Sequence, residues 1–222
     1  MSILSNTVFI LLVFSSTFSW SQQNDNICQI NGGILCVKDE LTIITTIAKG
    51  VKHISNEIER YIKQTKTVQT LERYFHLEMN STGRNLPSSE YHDHFFQYSN
   101  INKEYLVKLF LEAHNALVYY YNSIEDLLNL EGVYAEESDE RFRKIHDNIK
   151  YEMICRYRNI LNVYSGKWKS VNEVNDRIQF TRGYRLSPSE IHNIRSIIIA
   201  RNVRKWTEII QNVTDNLGYK FG

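Results

Sequence analysis

Residues 128–140 read LNLEGVYAEESDE. An apolar stretch with helical spacing runs into this segment, and another runs out of it. Gly132 stands just past the first, where a glycine ends a helix. Glu136, Glu137, Asp139 and Glu140 open the second, where carboxylates complement the positive end of a helix dipole. The link between them is a few residues long, so the two helices should be antiparallel neighbours. The first is predicted over 101–131, with Leu106, Leu109, Phe110, Leu117, Tyr120 and Ile124 inward. The second is predicted over 137–164, with Phe142, Ile145, Ile149, Met153, Tyr157 and Ile160 inward and Gly166 just after it.

Working outward, Ile44, Ala48, Val51, Ile54, Ile58 and Ile62 form one apolar stripe and predict a helix over 38–66. Downstream, SPSE at 187–190 is a sharp helix start. Ser187 can cap, Pro188 suits the first helical position and Glu190 completes a capping box. That helix is predicted over 188–217, with Gly218 following. The connections on either side of the central pair are long. Residues 77–100 are rich in Gly, Pro, Ser and Asn and read as a connection, with a short helix allowed in EYHDHFFQY. Residues 167–186 show little periodicity. A long, a short and a long connection are the connectivity of an up-up-down-down bundle. The expected fold is all-α: a four-helix bundle, up-up-down-down, with two long crossover loops, as one domain over 22–222. Two prolines and nine glycines among 222 residues agree, since all-β folds use more turn residues.

The N-terminus sets the compartment. Val8–Phe14 is an apolar run too short to span a bilayer. Ser19 and Ser21 follow at the spacing of a small-x-small cleavage site, so residues 1–21 read as a signal peptide. The expected protein is secreted, extracellular and not inserted in a membrane. With 26 Lys+Arg against 25 Asp+Glu there is no electrostatic case for a nucleic-acid partner. Asn80-Ser-Thr82 and Asn212-Val-Thr214 are sequons, so Asn80 and Asn212 are glycosylation candidates.

An oxidising compartment makes Cys28, Cys36 and Cys155 candidates for a disulfide. At about 100° per residue, Cys155 falls roughly 150° from the middle of its helix's apolar face and should point outward. An outward thiol is a liability unless paired. That favours a strap from Cys28 or Cys36 to Cys155 over a local Cys28–Cys36 loop. The strap would contribute about 4–5 kcal/mol by the chain-entropy model. The odd cysteine is then free, or joins two copies of an otherwise monomeric chain.

No motif for catalysis stands out. His92 and His94 have no third ligand at a known spacing, so neither a metal nor another cofactor is expected. No nucleophile elbow or zinc-protease signature is present, and the chain is not expected to be an enzyme. Tyr119–Tyr121 spread round most of their helix, so at least one ring should lie near the surface or under the A–B loop.

Three stretches carry a family resemblance. AKGVKHISNEIERYIKQTKTV (Ala48–Val68), IHDNIKYEMICRYRNIL (Ile145–Leu161) and RNVRKWTEIIQNVTDNL (Arg201–Leu217) resemble helices A, C and D of long-chain helical cytokines of the interleukin-6 type. The nearest likeness is to the branch of oncostatin M, leukaemia inhibitory factor and ciliary neurotrophic factor. The likeness covers most of the chain as a pattern, and it includes a cysteine in helix C that pairs with the N-terminal lead. It implies binding to cell-surface cytokine receptor ectodomains and bringing receptor chains together. One implied contact uses the outward faces of helices A and C. Another uses the start of helix D, here Glu190, Ile191, His192 and Arg195, with the end of the A–B loop. The family's Phe-x-x-Lys near that point is replaced by SEIHNIRS at 189–196, so the receptor it serves is not implied. The alternative is a secreted helical-bundle carrier or structural protein, which should hold an apolar cavity lined by Phe110, Tyr119 and Trp206.

Overall fold

The computed structural model describes residues 35–65, 68–98, 101–131, 137–166, 168–169, 173, 175–181 and 186–220. The described residues are mostly helical, with no strand among them, so the all-α expectation holds. Helix α1 spans Val37–Thr65 and α2 spans Val68–Thr82. The short α3 (Glu90–His94) lies between 3-10 turns at Gly83–Asn85 and Phe95–Gln97. Helix α4 spans Lys103–Leu128. Then α5 (Glu137–Asp147), a π-helical segment (Asn148–Ile154) and α6 (Cys155–Tyr164) follow without a break and make one rod. Helix α7 spans Pro188–Lys220.

The ends of these helices are set by local chemistry. The Asn102 side chain accepts the amide of Tyr105 at 2.9 Å and caps α4. The capping box at α7 is closed in both directions. Glu190 accepts from the Ser187 amide at 2.8 Å and its hydroxyl at 2.7 Å, while the Glu190 amide donates to the Ser187 hydroxyl at 3.3 Å. Gly166 ends α6 with φ at 62°, the left-handed region where glycine meets no Cβ penalty. Gly132 lies outside the described residues. Helix α7 runs through Gly218 instead of stopping before it. A helix tolerates one glycine near its end at a cost of about 1 kcal/mol.

One element was not visible in the sequence. The segment 77–100 was expected to be a connection, yet α2 reaches to Thr82. Its inner face alternates apolar with polar groups: Phe75, Glu78 and Thr82 are all buried. The spacing is helical, but two of the three side chains are hydrophilic, which hides the stripe. Their partners make the burial tolerable. Glu78 accepts the backbone amide of Thr181 at 3.2 Å, and the Thr82 hydroxyl donates to the Glu78 carbonyl at 2.9 Å.

Pairs of side chains fix the helix directions. Between α1 and α7, Thr45 meets Thr214 at 2.6 Å, Lys52 meets Glu208 at 3.0 Å and Glu59 meets Arg201 at 2.6 Å. Numbers rise on one helix as they fall on the other, so this closely packed pair runs antiparallel. Between α4 and the α5–α6 rod, Phe110 lies 6.1 Å from Tyr157 and Tyr121 stacks on His146 at 4.3 Å. That pair is also antiparallel. Between α1 and the rod, Glu40 meets Arg156 at 2.9 Å, and Arg141 sits 5.5 Å over Tyr61. The core between them holds Ile44, Ile58, Phe110, Leu117, Phe142 and Ile198, each fully buried.

Candidate functional site

Cys155 departs from its expected orientation. It is 8 % exposed rather than outward-facing. The wheel assumed an unbroken α-helix, but the π-helical segment Asn148–Ile154 ends at the residue before it. A π-turn takes more residues than an α-turn, so each side chain advances by less than 100°. Met153, Ile154 and Cys155 are consecutively buried as a result. Cys155 is disulfide-bonded, while Cys36 is exposed and free. Cys36 is thereby excluded as the partner, and Cys28 lies outside the described residues. Residues 1–21 also lie outside them.

The start of α7 is more internal than the resemblance implied. His192 is fully buried and cannot touch a receptor. It lies on the same face as Ile199, also fully buried, two turns further on. Its Nε2 is 2.9 Å from Asp139 of α5, and its Nδ1 is 3.4 Å from the Ser196 hydroxyl. Acid, imidazole and hydroxyl are the parts of a hydrolase triad. Ser196, however, is 0 % exposed, so no substrate reaches its oxygen. The array ties the first turn of α5 to the first turns of α7. Glu190 is engaged in the capping box, which holds its carboxyl below the ordinary range. Ile191 and Arg195 are half-buried, with the Arg195 guanidinium 4.8 Å over the Phe180 ring. The A–B segment meets the C–D connection at α2, where Glu78 and Ser81 accept the Thr181 amide and hydroxyl.

The histidines of YHDHFF separate. His94 is exposed and bonds its own helix at Glu90. His92 is buried, with Nδ1 2.7 Å from Glu112 of α4 and its ring edge-on to Trp206 of α7. Glu112 also accepts the amides of Tyr91 and His92, at 3.2 and 3.1 Å. This cluster pins the second half of the A–B connection to α4 and α7. Among the described residues no group of three or more His, Cys, Asp or Glu is placed to hold a metal ion.

The three tyrosines of α4 are all buried, against the expectation that one would lie near the surface. Tyr120 is in the core, Tyr121 is covered by the rod at His146, and the C–D connection lies beside Tyr119. Ile178 donates its amide to Ser123 at 3.0 Å, and Asn122 donates to the Asp176 carbonyl at 3.3 Å. Beside this strap a groove of about 1120 Å³ opens over the outer face of α4. Phe110 and Trp206 do not line it, so it is not the cavity a carrier would hold between its helices. Tyr119 does line it. The Tyr119 hydroxyl is buried without a hydrogen-bond partner among the described residues, a state that costs about 1–3 kcal/mol.

The sequons have exposed asparagines. Asn80 lies on the outer side of α2, on a helix rather than in a loop, and Asn212 lies on the outer side of α7. Their threonines, Thr82 and Thr214, are buried and bonded in the folded chain.

No protein-family model, curated protein or solved structure matches this chain. Among the described residues no helix is long and apolar enough to cross a membrane.

Proposed function

We propose that this chain is a secreted helical cytokine-like protein that binds cell-surface receptor ectodomains and brings receptor chains together. The observation that carries the reading is the set of helix directions. α1 is antiparallel to both α7 and the α5–α6 rod, and α4 is antiparallel to the rod. Those contacts are the ones expected of a four-helix bundle in which α1 and α4 point one way and the rod and α7 the other. Two long crossovers are then required, as in the interleukin-6-type cytokines that the sequence resembles.

The outward sides of α1 and the rod supply candidate contacts. Ile43 on α1 is 36 % exposed and Tyr151 on the rod is 51 % exposed. Exposed aromatic and aliphatic anchors are what a receptor interface buries at its centre. At the start of α7 the candidates reduce to Ile191 and Arg195, because His192 is internal and Glu190 serves the cap. Signalling in this reading needs no chemistry from the ligand.

The test is a binding screen of the folded, secreted protein against a panel of cytokine-receptor ectodomains. The expected result is one ectodomain bound through the α1–rod face and a second bound at the same time elsewhere. Tyr151→Ala should weaken the first by about tenfold or more. If the folded protein captures no ectodomain and instead co-purifies with an apolar ligand, the carrier reading replaces this one.

A further inference from the structure

Two connections pass over the outer face of α4 and leave the groove between them. Residues 85–88 form one wall, and Trp168, Lys169, Glu173 and residues 175–177 contribute to the other. Leu111, Asn115 and Tyr119 form the floor. These three are four residues apart, so they line one face of α4 over about 12 Å. A volume of about 1120 Å³ is more than enough for a small molecule, whose sites run to about 1,000 Å³.

The floor and the wall pose a specific chemical demand. Tyr119 is 6 % exposed, and its hydroxyl has no partner among the described residues. Burial, then the Asp176 carboxylate, push its pKa up to about 12. It therefore stays a neutral phenol that can accept a hydrogen bond as well as donate one. Two of the charges in the lining are taken up, and Lys169 and Glu173 add one cation and one carboxylate to the far wall. Arg177 is held by Asp126 at 2.6 Å, and Glu112 is occupied by two amides and the His92 ring. The wall at 85–88 carries no charge. The carboxylate that acts on the phenol is the exposed Asp176, with apolar surface from Leu86, Leu111 and Trp168 in the same groove.

We propose that this groove binds a small organic cation, a flat apolar body bearing a primary ammonium. The body lies against Leu86, Leu111 and Trp168, and the ammonium sits between the Tyr119 oxygen and Asp176. Its donors meet acceptors that the described residues leave unused. An anion of the same shape would face Asp176 and Glu173. A neutral molecule would gain the apolar contact but leave Asp176 uncompensated. This site lies away from the α1–rod face and stands or falls independently of receptor binding.

The test is calorimetric titration of the intact protein with three indoles that differ in charge: tryptamine, tryptophol and indole-3-acetate. Tryptamine is expected to bind, tryptophol to bind at least about tenfold more weakly, and indole-3-acetate not to bind. Asp176→Asn and Tyr119→Phe should each weaken tryptamine by about tenfold. Neither should lower the melting temperature, and Tyr119→Phe should leave it unchanged or raise it, since it deletes an unpaired hydroxyl. Equal affinity for tryptamine and tryptophol overturns the proposal. So does binding of the acid, an unchanged tryptamine affinity in Asp176→Asn, no binding by the wild type, or a drop in melting temperature for Tyr119→Phe.

Discussion

Glu59 on α1 and Arg201 on α7 meet at 2.6 Å, at the centre of a four-residue cluster. Lys63 approaches the same carboxylate at 2.7 Å and Arg204 at 3.3 Å. Glu59 is only 8 % exposed. Burial pushes its pKa up, but Arg201 and Lys63 outweigh it, so the carboxyl stays below its ordinary value. A buried carboxylate with three cations ties α1 to α7.

Replacing that carboxylate should loosen the seam. Glu59→Gln keeps the shape but leaves Arg201 facing an uncharged amide. The expected loss is about 1–3 kcal/mol, read as a lower denaturant midpoint with an unchanged slope. A midpoint equal to wild type would show that the cluster is solvated and carries no stability.

The same pair gives the protein an acid limb. A carboxyl whose folded pKa lies below its unfolded value of about 4.3 stabilises the fold above that pH. The contribution disappears as pH falls through the folded pKa. Wild-type stability should therefore drop between about pH 5 and pH 3 more steeply than that of Glu59→Gln. Parallel curves for the two proteins would assign acid sensitivity elsewhere.

An alkaline limb follows from the buried phenols. Tyr105 and Tyr119 are both pushed up to about 12, chiefly by burial. A raised folded pKa stabilises the fold below the unfolded value of about 10 and is lost as pH rises towards the folded one. Absorbance titration of the native protein should show a tyrosine fraction that ionises only near pH 12. In denaturant all should ionise near about 10.

The cap of α7 is the simplest local test. Ser187→Ala removes both hydroxyl bonds of the box and should cost about 0.5–2 kcal/mol. Glu190→Gln, which keeps an acceptor, should cost less. Equal losses would place the effect in charge rather than in the hydroxyl.

The disulfide predicts a chemical map. Non-reduced peptide mapping should find Cys155 joined to the N-terminal lead at Cys28, with Cys36 open to alkylation without denaturant. A Cys28–Cys36 peptide would remove the strap. Covalent dimers lost on Cys36→Ser would show that the odd cysteine joins two copies.

How far the chain could be read ahead depends on where each residue finds its partner. Ile44 to Ile62, Leu106 to Ile124 and Phe142 to Ile160 repeat at helical spacing, and apolar periodicity alone marks those helices. Ser187 and Glu190 are three residues apart, so their box is also local. The second half of α2 was hidden because Glu78 and Thr82 occupy its buried face. Only Thr181, about a hundred residues later, makes Glu78 acceptable there.

His192 and Cys155 failed for a related reason. A helical wheel assigns a direction, but burial depends on what lies in that direction. His192 is internal because Asp139 of another helix accepts it, and Cys155 is internal because a π-segment changes the turn just before it. Tyr119 was expected to be a candidate for exposure until the C–D strap lay across it.

From its own sequence, then, this protein determined its four long helices and the capped start of the last one, because each rests on contacts within a few residues. Tertiary structure alone decided which polar groups go inside, which tyrosines are covered and where the groove on α4 opens. Those outcomes depend on where two long connections come to rest. A connection without periodicity carries no record of the surface it will cover.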